Sequence, residues 1–562
     1  KLTNKSLKNV NLSSANLSDT DLTGSDLTSA ILRNTNLQGV NLTSAKVNNA
    51  DLTNADLTRA TVKSANLTSA DLKDTNFTSA NISNATLTSA EITRTNFKEA
   101  NLSSVIATST LFSNVIAAGA DLTYANLTGS TFVNGDFQGA SLLLSHFDNG
   151  TINRTDFRNA LMQYSTYTSA TLTSPQWEGT DLTGANFTSA TLTSSEAKGA
   201  NFTSAKFENT ITTNMNAPGA IFDNSTIRTS TFTKLTAPQA SMLGVVIDLS
   251  DLREAQLRSS NLSGASIKGS NFTSANMSSS KLKNSNITNT NFIETKLNNS
   301  DFTDSTINDA NFTNTDLTAA NMTNTEIKFS KFDGANLQIA NLKNTDLTGS
   351  HLQNISVTHL NAENANLTGV VIVNSNLHGM NARGADITGL DLSDQQLSGI
   401  KLNNSSSSSW TKWPSGHSAE SASSTSKVFN TETSCDLTKL QDCNGKDIQH
   451  SDLAGKDLKY LYFEGADLSG SNLVGADLTS ARMRASTLAG VGLTNANLRG
   501  ADLASTNLSG ADLAGADLTG AMLSNANLFG VNLEGANIAG ASLNGAIVDH
   551  VTWTGVTADT KT

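Results

Sequence analysis

Only two sets of side chains in this sequence have the types and spacing for chemistry. The first is a pair of cysteines eight residues apart, Cys435 and Cys443. Outside the cell that spacing suits a small disulfide loop capping the next segment of chain, whereas in a reducing compartment it reads as two free thiols. Zinc does not fit, because a second Cys/His pair is lacking. The second set is seven histidines, at positions 146, 351, 359, 378, 417, 450 and 550. None has metal-ligand spacing. The glycines form neither a phosphate-cradling loop nor a nucleophile elbow, so no cofactor is expected.

Whatever positions these residues is periodic. Every fifth residue from 2 to 402, through 81 repeats without a slip, is a core-type side chain such as Leu2, Leu7, Leu12 and Leu17. Departures are few: Ala107, Ala117, Ala197, Ala217, Ala237, Ala362, Ala382 and Thr212. A small residue stands two positions earlier, Asn or Asp lies between, and Thr or Ser commonly follows. A period of five fits neither the 3.6 of a helix nor the 2 of a flat strand, so the chain must turn a corner in every unit. An unbroken run of this kind leaves no loops to gather unlike groups around a pocket, which argues against an enzyme.

The unit Ala-(Asn/Asp)-Leu-(Thr/Ser)-x resembles the pentapeptide-repeat family over nearly the whole chain. That resemblance implies an all-β fold, a right-handed, four-sided β-helix with four repeats per coil. The core residue and the small residue before it would point inward. The chain supports a twenty-residue coil independently, because Ile227, Ile247, Ile267, Ile287, Ile307 and Ile327 recur at that spacing, as do Phe272, Phe292, Phe312 and Phe332. Like side chains must fill like slices of a narrow core. In such a coil His359 and His378 meet on one face, a surface pair rather than a metal site.

The organisation follows from the register. Residues 1–402 form a long array; 403–434 are a Ser-rich linker; 435–447 are a cysteine-containing cap; 448–553 form a second array in a new register; and 554–562 are a polar tail. Within the linker, Trp410, Trp413 and Pro414 resemble a terminating segment that follows such arrays in cyanobacterial members, which implies a seal over the end of the first array. The tail around Trp553 resembles terminating segments of secreted members. The second array reads Gly-Ala-Asp-Leu-x, with Gly at the corner, where the first array carries Asn, Thr and Ser. One column of the first array, Ala117, Phe137, Phe157, Trp177, Ala197, Ala217 and Ala237, mixes very large with very small residues. Pro218 and Pro238 beside it are expected to relax the local ladder, and a packing adjustment explains the column better than a docking surface does.

Charge narrows the function classes. Some members of the family resemble duplex DNA and bind topoisomerases, but residues 1–402 carry 27 Lys+Arg against 33 Asp+Glu. Duplex DNA of the same length, ~97 Å, carries on the order of 57 charges. Nucleic-acid mimicry therefore falls short about tenfold, and no nucleic-acid partner is expected. No stretch approaches the ~18 apolar residues of a membrane span. Thr68, Thr88, Thr108 and Thr128 would line one face, but Asp148 interrupts the column and lysines roughen its surroundings, so it suits carbohydrate contact better than ice.

The reading that fits best is a non-catalytic, extracellular bacterial structural protein that associates with itself end to end. The first residue, Lys1, is not Met and already lies in register, as in a processed secreted chain or a trimmed one. The exposed coil at Leu2, Leu7, Leu12 and Leu17 would receive a β edge from a neighbour, with Trp553 at the other end, and contact between unlike ends propagates into filaments. The alternative is a protein- or carbohydrate-binding module, including a DNA-mimicking, topoisomerase-binding pentapeptide-repeat protein, with cell-surface polysaccharide as a further candidate partner.

Overall fold

The computed structural model describes residues 1–393, 395, 397–407, 411–415, 425–426 and 443–559. They hold strands, bridges and turns and no helix. The chain divides into two compact units, Lys1–Lys281 and Leu282–Thr562.

Each unit is a β-solenoid whose coil is twenty residues long. In the first, Ser6, Asn11, Asn16 and Asp21 pair in parallel with Asp26, Ile31, Asn36 and Asn41, one bridge per side of a four-sided coil. The ladder is continuous: Leu22 N–H donates to Asn41 O at 2.8 Å, and Asn41 N–H donates to Thr20 O at 3.0 Å. The columns at twenty are in register. Ile227, Ile247 and Ile267 align in the first unit, and Ile287, Ile307 and Ile327 align in the second. Phe292, Phe312 and Phe332 stack with ring centroids 5.1 and 4.9 Å apart. From Leu22 to Leu392 the core position is never more than 6% exposed.

Each letter of the repeat has a physical task. The large residue fills the core, and Ala two before it lets the walls approach. Where Thr replaces that Ala, its buried hydroxyl is satisfied by the coil below: Thr180 Oγ1 donates to Phe157 O at 2.6 Å. The Asn or Asp caps the corner, since Asp181 Oδ1 accepts from both Thr183 N–H at 3.0 Å and Thr183 Oγ1 at 2.6 Å. The last residue of the unit takes a left-handed conformation, as at Asn54 with φ 57° and Ser69 with φ 56°. That explains the Asn, Ser and Gly found there.

The same bonding corrects the reading of the prolines. The N–H of the residue after the core position donates to a side chain, usually the cap, as at Thr183, rather than to the ladder, so Pro218 and Pro238 occupy a place that needs no ladder donor. Pairing runs through them undisturbed: Ala217 N–H donates to Thr236 O at 2.6 Å and Gly219 N–H to Pro238 O at 2.9 Å. The column they follow is wholly inward, with Trp177, Ala197, Ala217 and Ala237 all at 0% exposure. Trp177 and Phe202 approach at 6.1 Å, and Phe202 stacks on Phe222 at 4.9 Å, so rings from neighbouring columns fill the space beside the alanines.

Candidate interaction surfaces

One side of the first unit differs from the rest. Eight consecutive coils there form true strands, Glu91–Thr93, Leu111–Ser113, Thr131–Val133, Thr151–Asn153, Thr171–Thr173, Thr191–Thr193, Ile211–Thr213 and Thr231–Thr233, paired in parallel in that order. Their β-branched residues favour the extended conformation over a tight corner. The middle residue of each strand points into the core, so the first and third point out. Ten of those sixteen outward residues are Thr, and Glu91 at one end is the single charged one. On the next coil of this side the charges return, as Asp251 and Arg253 pair at 2.6 Å. None of the ten hydroxyls is hydrogen-bonded among the described residues.

The column Thr68, Thr88, Thr108 and Thr128 is of another kind. These residues lie in corners, and the hydroxyls of Thr88 and Thr108 bond each other at 3.2 Å. Behind the strand side lies an aromatic core. Phe147, Tyr167, Phe187 and Phe207 stack at 5.1, 4.8 and 4.9 Å, and Trp177 meets Tyr167 and Phe187 edge-on.

The second unit contains a contact that repeat arithmetic does not show. Its coils up to residue 402 and the second array lie face against face and run in opposite senses: His351 meets Phe529, whereas Asp386 meets His450. Glycine makes the approach possible. A Cβ on Gly369 would stand 2.7 Å from Ala489 Cβ, and one on Gly490 would stand 2.9 Å from Gly369 N. Polar groups close the margins. The His351 ring stacks on Phe529 at 3.5 Å, a His550 ring nitrogen and Gln353 Oε1 are 2.7 Å apart, and His450 Nε2 lies 3.4 Å from Asp386 Oδ2. Burial, and after it the charges of Lys331 and His550, pushes the His351 imidazole down to about 3. One signal was present in the sequence: Gly349, Gly369 and Gly389 recur at twenty, as do Gly470, Gly490, Gly510 and Gly530.

The other residues singled out by sequence are dispersed. His359 and His378 meet edge to face at 5.8 Å. Leu2, Leu7, Leu12 and Leu17 are half-buried, and Trp553 is 42% exposed. Trp410 lies outside the described residues; Trp413 and Pro414 are half-buried, next to Lys412, whose N–H donates to Leu390 O at 2.8 Å. Cys435 also lies outside them, and the expected bridge with it. Cys443 is 0% exposed and already in register, its N–H donating to Tyr462 O at 2.8 Å, so the expected cap overlaps the first described coil of the second array. Among the described residues no group of three His, Cys, Asp or Glu side chains could hold a metal, and no helix is long and apolar enough to cross a membrane.

The five-residue repeat is shared with a known family. The sequence profile described as Pentapeptide repeats matches stretches within 6–134, 178–209, 250–399 and 447–552. Among solved structures, the chain is similar to HetL, a pentapeptide repeat protein involved in heterocyst differentiation regulation from Nostoc sp. strain PCC 7120. The identity is 26%, over 49% of this chain and 88% of that one, with a TM-score of 0.15. A pentapeptide repeat protein from the Arabidopsis thaliana thylakoid lumen is 34% identical over 18% of this chain and 67% of its own, with a TM-score of 0.14. No curated protein matches. With a five-residue repeat, a parallel coil of twenty and a family profile that matches well over half its length, this chain belongs to the pentapeptide-repeat family.

Proposed function

We propose that the chain is a non-catalytic structural protein of the extracellular space that associates with copies of itself through its solenoid surfaces. The observation that carries this reading is the packing inside Leu282–Thr562, where two solenoid faces already fit together through glycine columns and polar margins. A face that repeats every coil offers the same fit to another chain, because each added coil presents the same groups at the same spacing. The absence of inserted loops from the described coils supports a role in contact rather than turnover.

Light scattering and electron microscopy of the full chain at rising concentration test this. Assemblies that grow with concentration are expected; a monomer throughout the range overturns the proposal. The images also separate the modes, since end-to-end joining gives filaments one solenoid wide and lateral joining gives sheets. Location has its own readout. In native material the Cys435–Cys443 bridge is expected to be closed, and two thiols open to alkylation would count against both the bridge and an extracellular setting.

A further inference from the structure

We infer that the threonine side of Lys1–Lys281 binds ice. Its outward residues form a two-dimensional lattice. One rank runs Thr131, Thr151, Thr171, Thr191, Ile211, Thr231, and beside it runs Thr173, Thr193, Thr213, Thr233, each residue paired directly with the next coil. Adjacent strands lie ~4.8 Å apart, and alternate residues along a strand lie about 6.7 Å apart. Tetrahedral water with hydrogen bonds of ~2.75 Å has second neighbours ~4.5 Å apart and a layer repeat of ~7.3 Å. Both protein repeats fall within a tenth of the ice repeats, a match that no flexible surface maintains.

The residue type fits this ligand as well as the spacing does. Threonine joins a hydroxyl to a methyl on a side chain whose χ1 is restricted, so a rank of threonines presents the same two groups in the same way at every step. The methyls favour release of disordered water, and the hydroxyls, unpartnered among the described residues, can each enter a water lattice as donor and acceptor. Serine would lack the methyl, and asparagine would lack the stiffness. Charged groups hold hydration shells of their own, and from Leu111 to Thr233 no outward strand residue of this side is charged.

The surface is also flat at its centre. The corners flanking the central strands are Ser169 and Ser189 on one side and Ser174 and Ser194 on the other, so nothing long rises above the lattice there. The charged residues that border this side, Arg94, Asp148, Arg154, Glu208, Arg228 and Lys234, stand beside the strands outside that central pair. The stacked rings of Tyr167, Phe187 and Phe207 hold the wall rigid from behind. A crystalline polysaccharide is the less fitting occupant, because sugar rings seek exposed aromatic faces. Tyr124 and Tyr164, 59% and 56% exposed, stand at corners of a different side.

The test uses the full chain in thermal hysteresis and ice-partition measurements. The unmodified protein is expected to concentrate into growing ice and to open a gap between melting and freezing. Thr171→Tyr and Thr191→Tyr, which project from the lattice without touching the core, are expected to lose most of that gap, while Glu196→Tyr on the adjoining side keeps it. Circular dichroism confirms that each variant is folded. The inference is overturned if the unmodified chain shows neither effect at its highest soluble concentration, or if the threonine variants match it. It is equally overturned if the same threonines bind crystalline chitin or cellulose while ice grows unhindered. Scattering on the same samples keeps the two proposals apart, since a chain that assembles but ignores ice sinks only this one.

Discussion

Replacing Phe187 with alanine is expected to remove about 3–5 kcal/mol from the stability of the surrounding coils, the range for deleting a fully buried ring. Phe187 is 0% exposed and meets four other rings: Tyr167 at 4.8 Å, Phe207 at 4.9 Å, Trp177 at 5.7 Å and Phe202 at 6.3 Å. Its loss leaves a cavity and also ends two stacks, each worth about 0.5–1.5 kcal/mol beyond area. The wall cannot collapse inward to fill the space, because the ladder fixes its position on every coil. In a solenoid, stability is a sum of nearest-neighbour terms, so the damage stays local. Amide exchange across the coils from 167 to 207 is expected to accelerate strongly while coils near Leu32 keep their protection. Uniform exchange along the unit would show that Lys1–Lys281 unfolds as one cooperative block, and unchanged exchange would show that the ring stack contributes little.

That local character explains what was legible in the sequence. The coil of twenty can be read from Ile227, Ile247 and Ile267 because the core is one side chain wide. Each slice repeats its neighbour's geometry, and sequence separation maps directly onto space. Corner chemistry is legible for the same reason, since the Asn/Asp cap and the Thr two residues later satisfy each other within one unit. The prolines mislead because a rule for ordinary strands does not hold in a chain that turns every five residues; only the bonding shows that Pro218 and Pro238 stand where the ladder takes a carbonyl but no N–H. The threonine side escapes the sequence for a related reason. Position within the unit does not reveal whether a stretch forms a corner or a strand, so Thr68, a corner residue, stands out while Thr171 does not. The contact between Gly369 and Gly490 joins arrays in different registers, so the glycines recurring at twenty mark the two faces without showing that they meet.

That contact should respond to acid, and His351 sets the direction. In the packed state its imidazole is held neutral, at about 3 against an ordinary 6.5, chiefly by burial and then by the positive charges of Lys331 and His550. A histidine with a depressed pKa contributes stability that is complete above 6.5 and is lost as pH falls from 6.5 toward 3, because the separated state takes up a proton that the packed state refuses. At ~1.4 kcal/mol per unit, the full loss is on the order of 5 kcal/mol. Other charged groups near the contact temper it. Asp309 and Asp549 border the same cleft as His351 and Lys331, and His450 pairs with Asp386 at 3.4 Å. Because the His351 ring is buried against Phe529 and the His450 pair lies at the margin, the net effect on acidification is expected to be opening. Between pH 7 and pH 4, amides around 349–371 and 489–530 should lose protection against exchange while the coils near Ile307 hold theirs. His351→Phe keeps the ring stack and removes the titrating group, so it is expected to stay closed across the same range. If this variant opens as readily as the unmodified chain, His351 does not control the contact, and the pair of His450 with Asp386 becomes the group to replace next.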